Sequence, residues 1–341
     1  MSVPRMETRP AQVGRRQNDL PERASDSIVN RCSTAGTTQV FNSNGRRRLS
    51  PEERWYALFL APTLILLLGI TFGPFLYSLY LSLTSYSLTK PGGPKFIGLQ
   101  NYLTLFQNGQ FQSAVLITVL MLALSLTLQL TLGVIVALLL NREGLWVNLM
   151  RSLLLLPMMI TPIVAALMWQ LMLNNEYGVV RYLFGLVGIA SPPVWLGDPR
   201  TALLTLVVID SWQWTPMVIL FVAAALKAVP NDYIEVARIE GASYLQIVWR
   251  ILLPLLRPTL VVLALLRGID VIKLFDPIYV LTQGGPGNAT ETVTFHAFRT
   301  GFAFFNMGYA ATMAIIIMIA VTMISSRVLQ LFRLQQKGQV R

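Results

Sequence analysis

The chain has 341 residues, 54% of them hydrophobic and only 13% charged, with a mean hydropathy of +0.57. A soluble globular protein carries about 25% charged residues, so this composition excludes an ordinary soluble domain and indicates a polytopic membrane protein. The net charge of +11 does not point to nucleic acid, because the basic residues cluster at the ends of apolar runs, where they set membrane orientation.

Residues 1–50 are polar, rich in Arg, Ser, Asn and Thr, and free of apolar periodicity. They are expected to form a disordered basic tail. Arg46, Arg47 and Arg48 within it serve as topology determinants. A cleaved signal peptide is not expected, since the first apolar run starts after Trp55 and is long enough to remain as a span. Cys32 is the single cysteine, which rules out an intramolecular disulfide and leaves no thiolate metal site. The single histidine, His296, is expected in a structural or surface role in an outer loop. There is no GxxxxGK[ST] phosphate loop and no nucleophile with an apparent base, so neither ATP hydrolysis nor other catalysis is expected of this chain itself.

A bilayer span takes about 20 mostly apolar residues. Such stretches lie near 56–84, 112–140, 149–173, 202–229, 255–281 and 307–332, which makes an all-α protein with six transmembrane helices. Ten basic residues precede Trp55, and Arg142, Arg151, Lys227, Arg238, Arg250, Arg257, Arg327, Arg333, Lys337 and Arg341 fall on the same side of the alternating spans. The opposite side receives only Lys90, Lys95, Arg181, Arg200 and Arg299. The positive-inside rule therefore puts both termini and the 230–254 connection in the cytoplasm.

Two spans carry groups that lipid does not accept. Asp210, Trp212 and Trp214 lie in the fourth, and Arg267, Asp270, Lys273 and Asp276 in the fifth. A charge at the bilayer centre costs about 2.5–3.5 kcal/mol on insertion scales. Spacing of three residues on a helix lets Arg267 neutralise Asp270 and Lys273 neutralise Asp276 while both pairs face the bundle interior. The same groups are candidates for a solute pathway: the two tryptophans offer flat apolar faces suited to the C–H face of a sugar ring, and Asp210 an acceptor for hydroxyls.

Between the fourth and fifth spans, residues 235–254 read EVARIEGASYLQIVWRILLP. Pro230 closes the fourth span, and Asn231, Asp232 and Glu235 supply polar and acidic groups for a helix start. Gly241 ends that helix, and Ser243 with Gln246 forms a capping-box pattern for a second one. Leu245, Val248, Ile251 and Leu252 share one face of this second helix, and Pro254 marks the boundary with the fifth span. The charges of Glu235, Arg238, Glu240 and Arg250 put the segment on a water-facing surface, as a handle for a soluble partner.

Glu235, Ala237, Glu240, Gly241, Ala242, Ile251, Leu253 and Pro254 closely resemble the EAA motif of permease subunits in binding-protein-dependent ABC importers. Val236 stands where the pattern has its first alanine, and Glu240 where it has an aspartate. FIGLQNYLTLF at 96–106, WLGDPRTAL at 195–203, WQWTP at 212–216, FDPIYVLTQGGPGNATET at 275–292 and GYAATMAI at 308–315 are similar, in the same order, to recurring segments of the carbohydrate, maltose-type branch. The resemblance covers the chain beyond its tail. It implies a type I importer permease in a bacterial inner membrane, without a cofactor of its own, that forms half of a carbohydrate pathway. The implied partners are a second permease, two ATPase subunits that bind ATP with Mg, and an extracytoplasmic solute-binding protein. It also implies that Glu235, Ala237, Glu240, Gly241 and Ala242 belong to a helix pair that seats on the ATPase. The competing reading is a six-span secondary transporter or channel, which needs no inner docking segment.

Overall fold

The computed structural model describes residues 51–141, 144–188 and 193–339; the expected disordered tail, with Cys32 and Arg46–Arg48, lies outside the described residues, as do Arg142 and Arg341. The chain divides into two units within its first helix, residues 1–65 and residues 66–341.

The described elements are helical apart from one short ribbon. Helix α1 runs Pro51–Ser82 and is followed by two antiparallel strands, β1 (Thr84–Ser85) and β2 (Lys95–Phe96). Then come α2 (Gln100–Gln107), α3 (Gly109–Leu139), α4 (Leu145–Met159), α5 (Pro162–Met172), α6 (Val179–Leu186) and α7 (Pro199–Lys227). The remainder is α8 (Asn231–Ile239), α9 (Tyr244–Ile247), a π-helical turn (Val248–Leu252), α10 (Leu253–Ile272), α11 (Asp276–Leu281), α12 (Val293–Phe298), a second π turn (Arg299–Ala303) and α13 (Met307–Gln339).

Among the described residues, five helical stretches are long and apolar enough to cross a bilayer, within α1, α3, α7, the stretch Tyr244–Leu281 and α13. The expected third span, 149–173, is not one helix: α4 and α5 meet at 97°, and only as a bent pair do they make the sixth crossing. The cause is local. Pro162 disfavours the helical region for the residue before it, and Thr161 is extended at φ −64°, ψ 142°, as is Ile160 at φ −82°, ψ 137°. A backbone carbonyl freed inside a membrane needs a donor from elsewhere. Gln213 of α7 supplies it, its Nε2 donating to the Ile160 carbonyl at 2.9 Å.

Helix α7 is the hub of the bundle, with 61% of its most apolar stretch buried against 28% for α3 and 22% for α13. It lies so close to α3 that a Cβ on Gly133 would fall 2.4 Å from Val218 Cγ1. One core cluster joins Ala137 of α3, Val218, Val222 and Leu226 of α7, Ala237 of α8, and Ile247, Leu252 and Leu256 further along. Another gathers Met121, Leu206, Ile209, Val271, Ile278 and Phe295 around the N-terminal half of α7 and α11. The segment after α1 is tied down by side chains. Asn101 Nδ2 donates to the carbonyls of Ser82 (3.0 Å) and Thr84 (2.9 Å), and Thr312 Oγ1 donates to Ser82 O (3.1 Å). Gly308 admits this segment, since a Cβ there would lie 2.2 Å from Thr84 O.

Candidate functional site: a capped helix pair and a buried polar clasp

The 230–254 connection folds as a helix, a glycine turn and a second helix. Helix α8 begins after Pro230, which has extended backbone and no side-chain cap. Its end is a Schellman motif: Gly241, at φ +80°, donates to Arg238 O (3.0 Å), and Ala242 donates to Ala237 O (2.9 Å). The left-handed φ is what requires a glycine, since a Cβ there would meet no atom within 4 Å. Ser243 then starts α9 with a complete capping box, Gln246 N donating to Ser243 Oγ (3.4 Å) and Ser243 N to Gln246 Oε1 (2.8 Å).

The second helix departs from expectation at its far end. Pro254 does not mark a boundary, because the helix continues through it from Tyr244 to Ile272. A π turn at Val248–Leu252 makes this continuity feasible: Leu253 N reaches back five residues to Val248 O, and the proline that follows sits in the first turn of α10. The shift in register also changes the buried face. Ile247, Val248 and Leu252 are buried, whereas Leu245 is 67% exposed instead of sharing that face.

The pair is anchored from below and open above. Ala237 is buried in the core cluster and Ala242 packs against it. Glu235, Arg238, Glu240 and Gly241 are exposed, together with Val236 and Ile239, the latter at 85%. Tyr244 and Trp249 continue this open surface.

A second arrangement of polar groups lies inside the bundle, where α3, α7 and α10 meet. Arg267 and Asp210 are each 1% exposed, and Arg267 Nη2 donates to both Asp210 carboxylate oxygens at 3.2 Å. Gln129 closes the ring, its Nε2 donating to Asp210 Oδ2 (2.7 Å) and its Oε1 accepting from Arg267 Nε (2.9 Å). Arg267 Nη1 reaches Asp270 Oδ2 at 3.4 Å, the i,i+3 pairing read from the sequence, and Trp214 lies under the guanidinium at 4.7 Å. Each of three helices thus contributes to satisfying one buried cation.

This geometry corrects part of the sequence reading. The main partner of Arg267 is Asp210 on another helix, not its helical neighbour Asp270. Asp210 is consequently no open hydroxyl acceptor, because both its oxygens face Arg267 and Gln129 in the interior. Lys273 and Asp276 do not pair among the described residues, since α10 ends at Ile272 and Asp276 opens a new helix. Lys273 is exposed and Asp276 half-buried. Trp212 packs edge-on against Trp169 of α5, ring centroids 5.6 Å apart. Gln129 escaped the sequence reading, although a fully buried amide in an otherwise apolar span is the same signal that Asp210 gave.

The connection between α11 and α13 holds a third polar group. His296 is buried, with Nδ1 2.6 Å from Glu291 Oε1, and Arg299 Nη2 lies 2.8 Å from Glu291 Oε2. Its role is structural, not superficial. Glu291 clamps the 282–292 loop onto α12, whose first amide, Val293 N, donates to Thr118 Oγ1 of α3 (2.9 Å).

Residues 129–334 match the family described as binding-protein-dependent transport system inner membrane component. The chain is 37% identical over 281 residues to a probable ABC transporter permease protein, y4oQ, of Sinorhizobium fredii, covering 82% of this chain and 89% of that one. It is 36% identical over 281 residues to the trehalose/maltose transport system permease protein MalF of Thermococcus litoralis, covering 82% and 93%. Among solved structures it superposes on a chain of a bacterial ABC transporter involved in import of the acidic polysaccharide alginate, with a TM-score of 0.72, 21% identity, and coverage of 83% and 96%. That likeness establishes the fold, the all-helical permease fold of type I ABC importers. With the residues of the polar clasp and of the capped helix pair inside the matched residues, the chain belongs to the family of binding-protein-dependent transport system inner membrane components.

Proposed function

We propose that this membrane permease forms half of the translocation pathway of an ATP-driven carbohydrate importer and is driven through the α8–α9 pair by a cytoplasmic ATPase. The observation that carries the reading is the surface of that pair. It is capped at the turn between its helices, by Gly241 and the Ser243–Gln246 box, yet it leaves Val236, Ile239, Tyr244 and Trp249 exposed among Glu235, Arg238 and Glu240. Apolar side chains mixed with charges on a water-facing surface suit a protein partner. In this reading both termini and the helix pair are cytoplasmic, in keeping with the side on which the basic residues gather. Glu235 pairs with a basic group of the ATPase, and Gly241 holds the angle between the helices.

A chain without a phosphate loop obtains ATP and Mg chemistry from two such ATPase subunits, a second permease completes the pathway, and an extracytoplasmic binding protein delivers solute. The carbohydrate assignment is supported by the trehalose/maltose relative and by the pairing of aromatic and polar groups along α7 and α10. Trp212, Trp214, Asp270, Lys273 and Asp276 are the pathway groups, with Asp210 and Arg267 supporting them from behind. Closure of the ATPase pair draws the docked helices together. The spans then rotate as rigid bodies, exchanging an inward-facing cavity for an outward-facing one.

The test is copurification of the ATPase with Glu235→Ala and Gly241→Asp variants, alongside uptake in the assembled system. Both variants should insert normally yet lose ATPase attachment or uptake. Full uptake by either would remove the coupling role.

A further inference from the structure

The clasp around Arg267 does not balance electrically. It joins one guanidinium to two carboxylates, Asp210 and Asp270, while Gln129 and Trp214 are neutral. Asp210 is sealed at 1% exposure, but Asp270 is 49% exposed. The excess negative charge therefore belongs to the open carboxylate. A half-open carboxylate cannot face lipid without a penalty of kilocalories, so the face of α10 that bears Asp270 looks onto water within the transporter. Lys273, three residues on and also exposed, continues this face.

Arg267 cannot follow a moving partner, because Gln129 and Asp210 hold its other nitrogens. Asp270 is thus presented from a fixed support, the guanidinium that also lies over the Trp214 ring. Trp214 and Asp210 are one helical turn apart on α7, so the aromatic ring stands on the side of that helix from which Arg267 is held. A preorganised carboxylate and an indole held by one guanidinium fit a ring that carries hydroxyl donors and a C–H surface, the ring meeting the indole edge or the face that Arg267 leaves uncovered.

Resting on the carbohydrate-pathway reading above, we propose that Asp270 is a specificity-determining residue which accepts a hydrogen bond from a solute hydroxyl during passage. Arg267 and Gln129 are positioning residues that act through it.

The experiment uses the complete transporter in proteoliposomes with its binding protein. Uptake is measured for a panel of neutral mono- and disaccharides, including maltose and trehalose, and then for monodeoxy analogues of whichever sugar the wild type takes up. Loss of a hydrogen bond to a charged group corresponds to about tenfold or more in apparent affinity. One deoxy analogue should therefore be disfavoured about tenfold in KM by the wild type, and in Asp270→Ala it and the parent sugar should become equal. Arg267→Lys keeps the charge but loses the fork, and should weaken the same discrimination while leaving the other analogues in their original order. An Asp270→Ala variant with the wild-type deoxy pattern overturns the proposal. So does loss of the second permease from the purified Asp270→Ala complex, which would assign Asp270 to the subunit interface. If the wild type takes up no neutral sugar in the panel, the carbohydrate reading itself fails, and this inference with it.

Discussion

Replacing Arg267 by methionine tests the clasp most directly. The substitution leaves the Asp210 carboxylate, 1% exposed, with Gln129 as its remaining partner. Breaking a buried ion pair from one side costs about 3–5 kcal/mol, because the surviving charge is neither solvated nor compensated. Asp210→Leu strands the guanidinium in the same way, at a similar cost. If the two residues acted independently, the double variant would lose about 6–10 kcal/mol. The geometry requires otherwise: with both charges gone, the residual deficit is the orphaned Gln129 amide, about 1–3 kcal/mol. Adding Gln129→Leu should recover part of even that. The assay is the fraction of detergent-purified protein that remains monodisperse after a temperature series, for the two single variants, the double and the triple. Singles that fall well below wild type, with a double that recovers most of the loss, are the expected result. A double as unstable as the sum of the singles, or an Arg267→Met single as stable as wild type, would refute the account of a mutually dependent buried pair.

Gly133→Ala puts a Cβ 2.4 Å from Val218 Cγ1 and 2.7 Å from Val218 Cβ, and overpacking of this kind costs about 1–3 kcal/mol. The same thermal assay should show the loss, and Val218→Ala should return only part of it, because the Cβ contact remains. Ser243→Ala removes one half of the capping box that starts α9, for about 1 kcal/mol. Hydrogen exchange should then quicken at the Gln246 amide and leave α7 protected as before. Gly241→Ala forces a Cβ into φ +80°, which costs about 1–2 kcal/mol. As no atom crowds that position, ATPase copurification should fall less than with Gly241→Asp.

The glycine turn and the capping box inside the helix pair were legible in the sequence almost atom by atom. Their determinants are local: a glycine for a left-handed turn, and a Ser-x-x-Gln box, each acting over a few residues. The continuation of α9 through Pro254 was not legible, because a proline reads as a stop unless a π turn shifts the hydrogen-bond register before it. The break between α4 and α5 could have been read from Thr161-Pro162, yet hydropathy is blind to it, since the chain is apolar on both sides of the break. What made that break tenable, Gln213 donating to Ile160 O, is a contact across 53 positions of chain.

The charges in the spans show the division most clearly. That Asp210, Arg267 and Asp270 could not face lipid followed from the amino-acid sequence alone, since desolvation penalises a charge wherever the chain folds. So did the number of crossings and the bias of basic residues to one side, which depend on composition and order. Which charges meet depends on the packing of α3, α7 and α10, and periodicity along one helix finds only the neighbour three residues away. The tertiary structure therefore decided that Arg267 belongs first to Asp210 and Gln129, that Lys273 and Asp276 stay apart, and that Asp270 is the carboxylate left open.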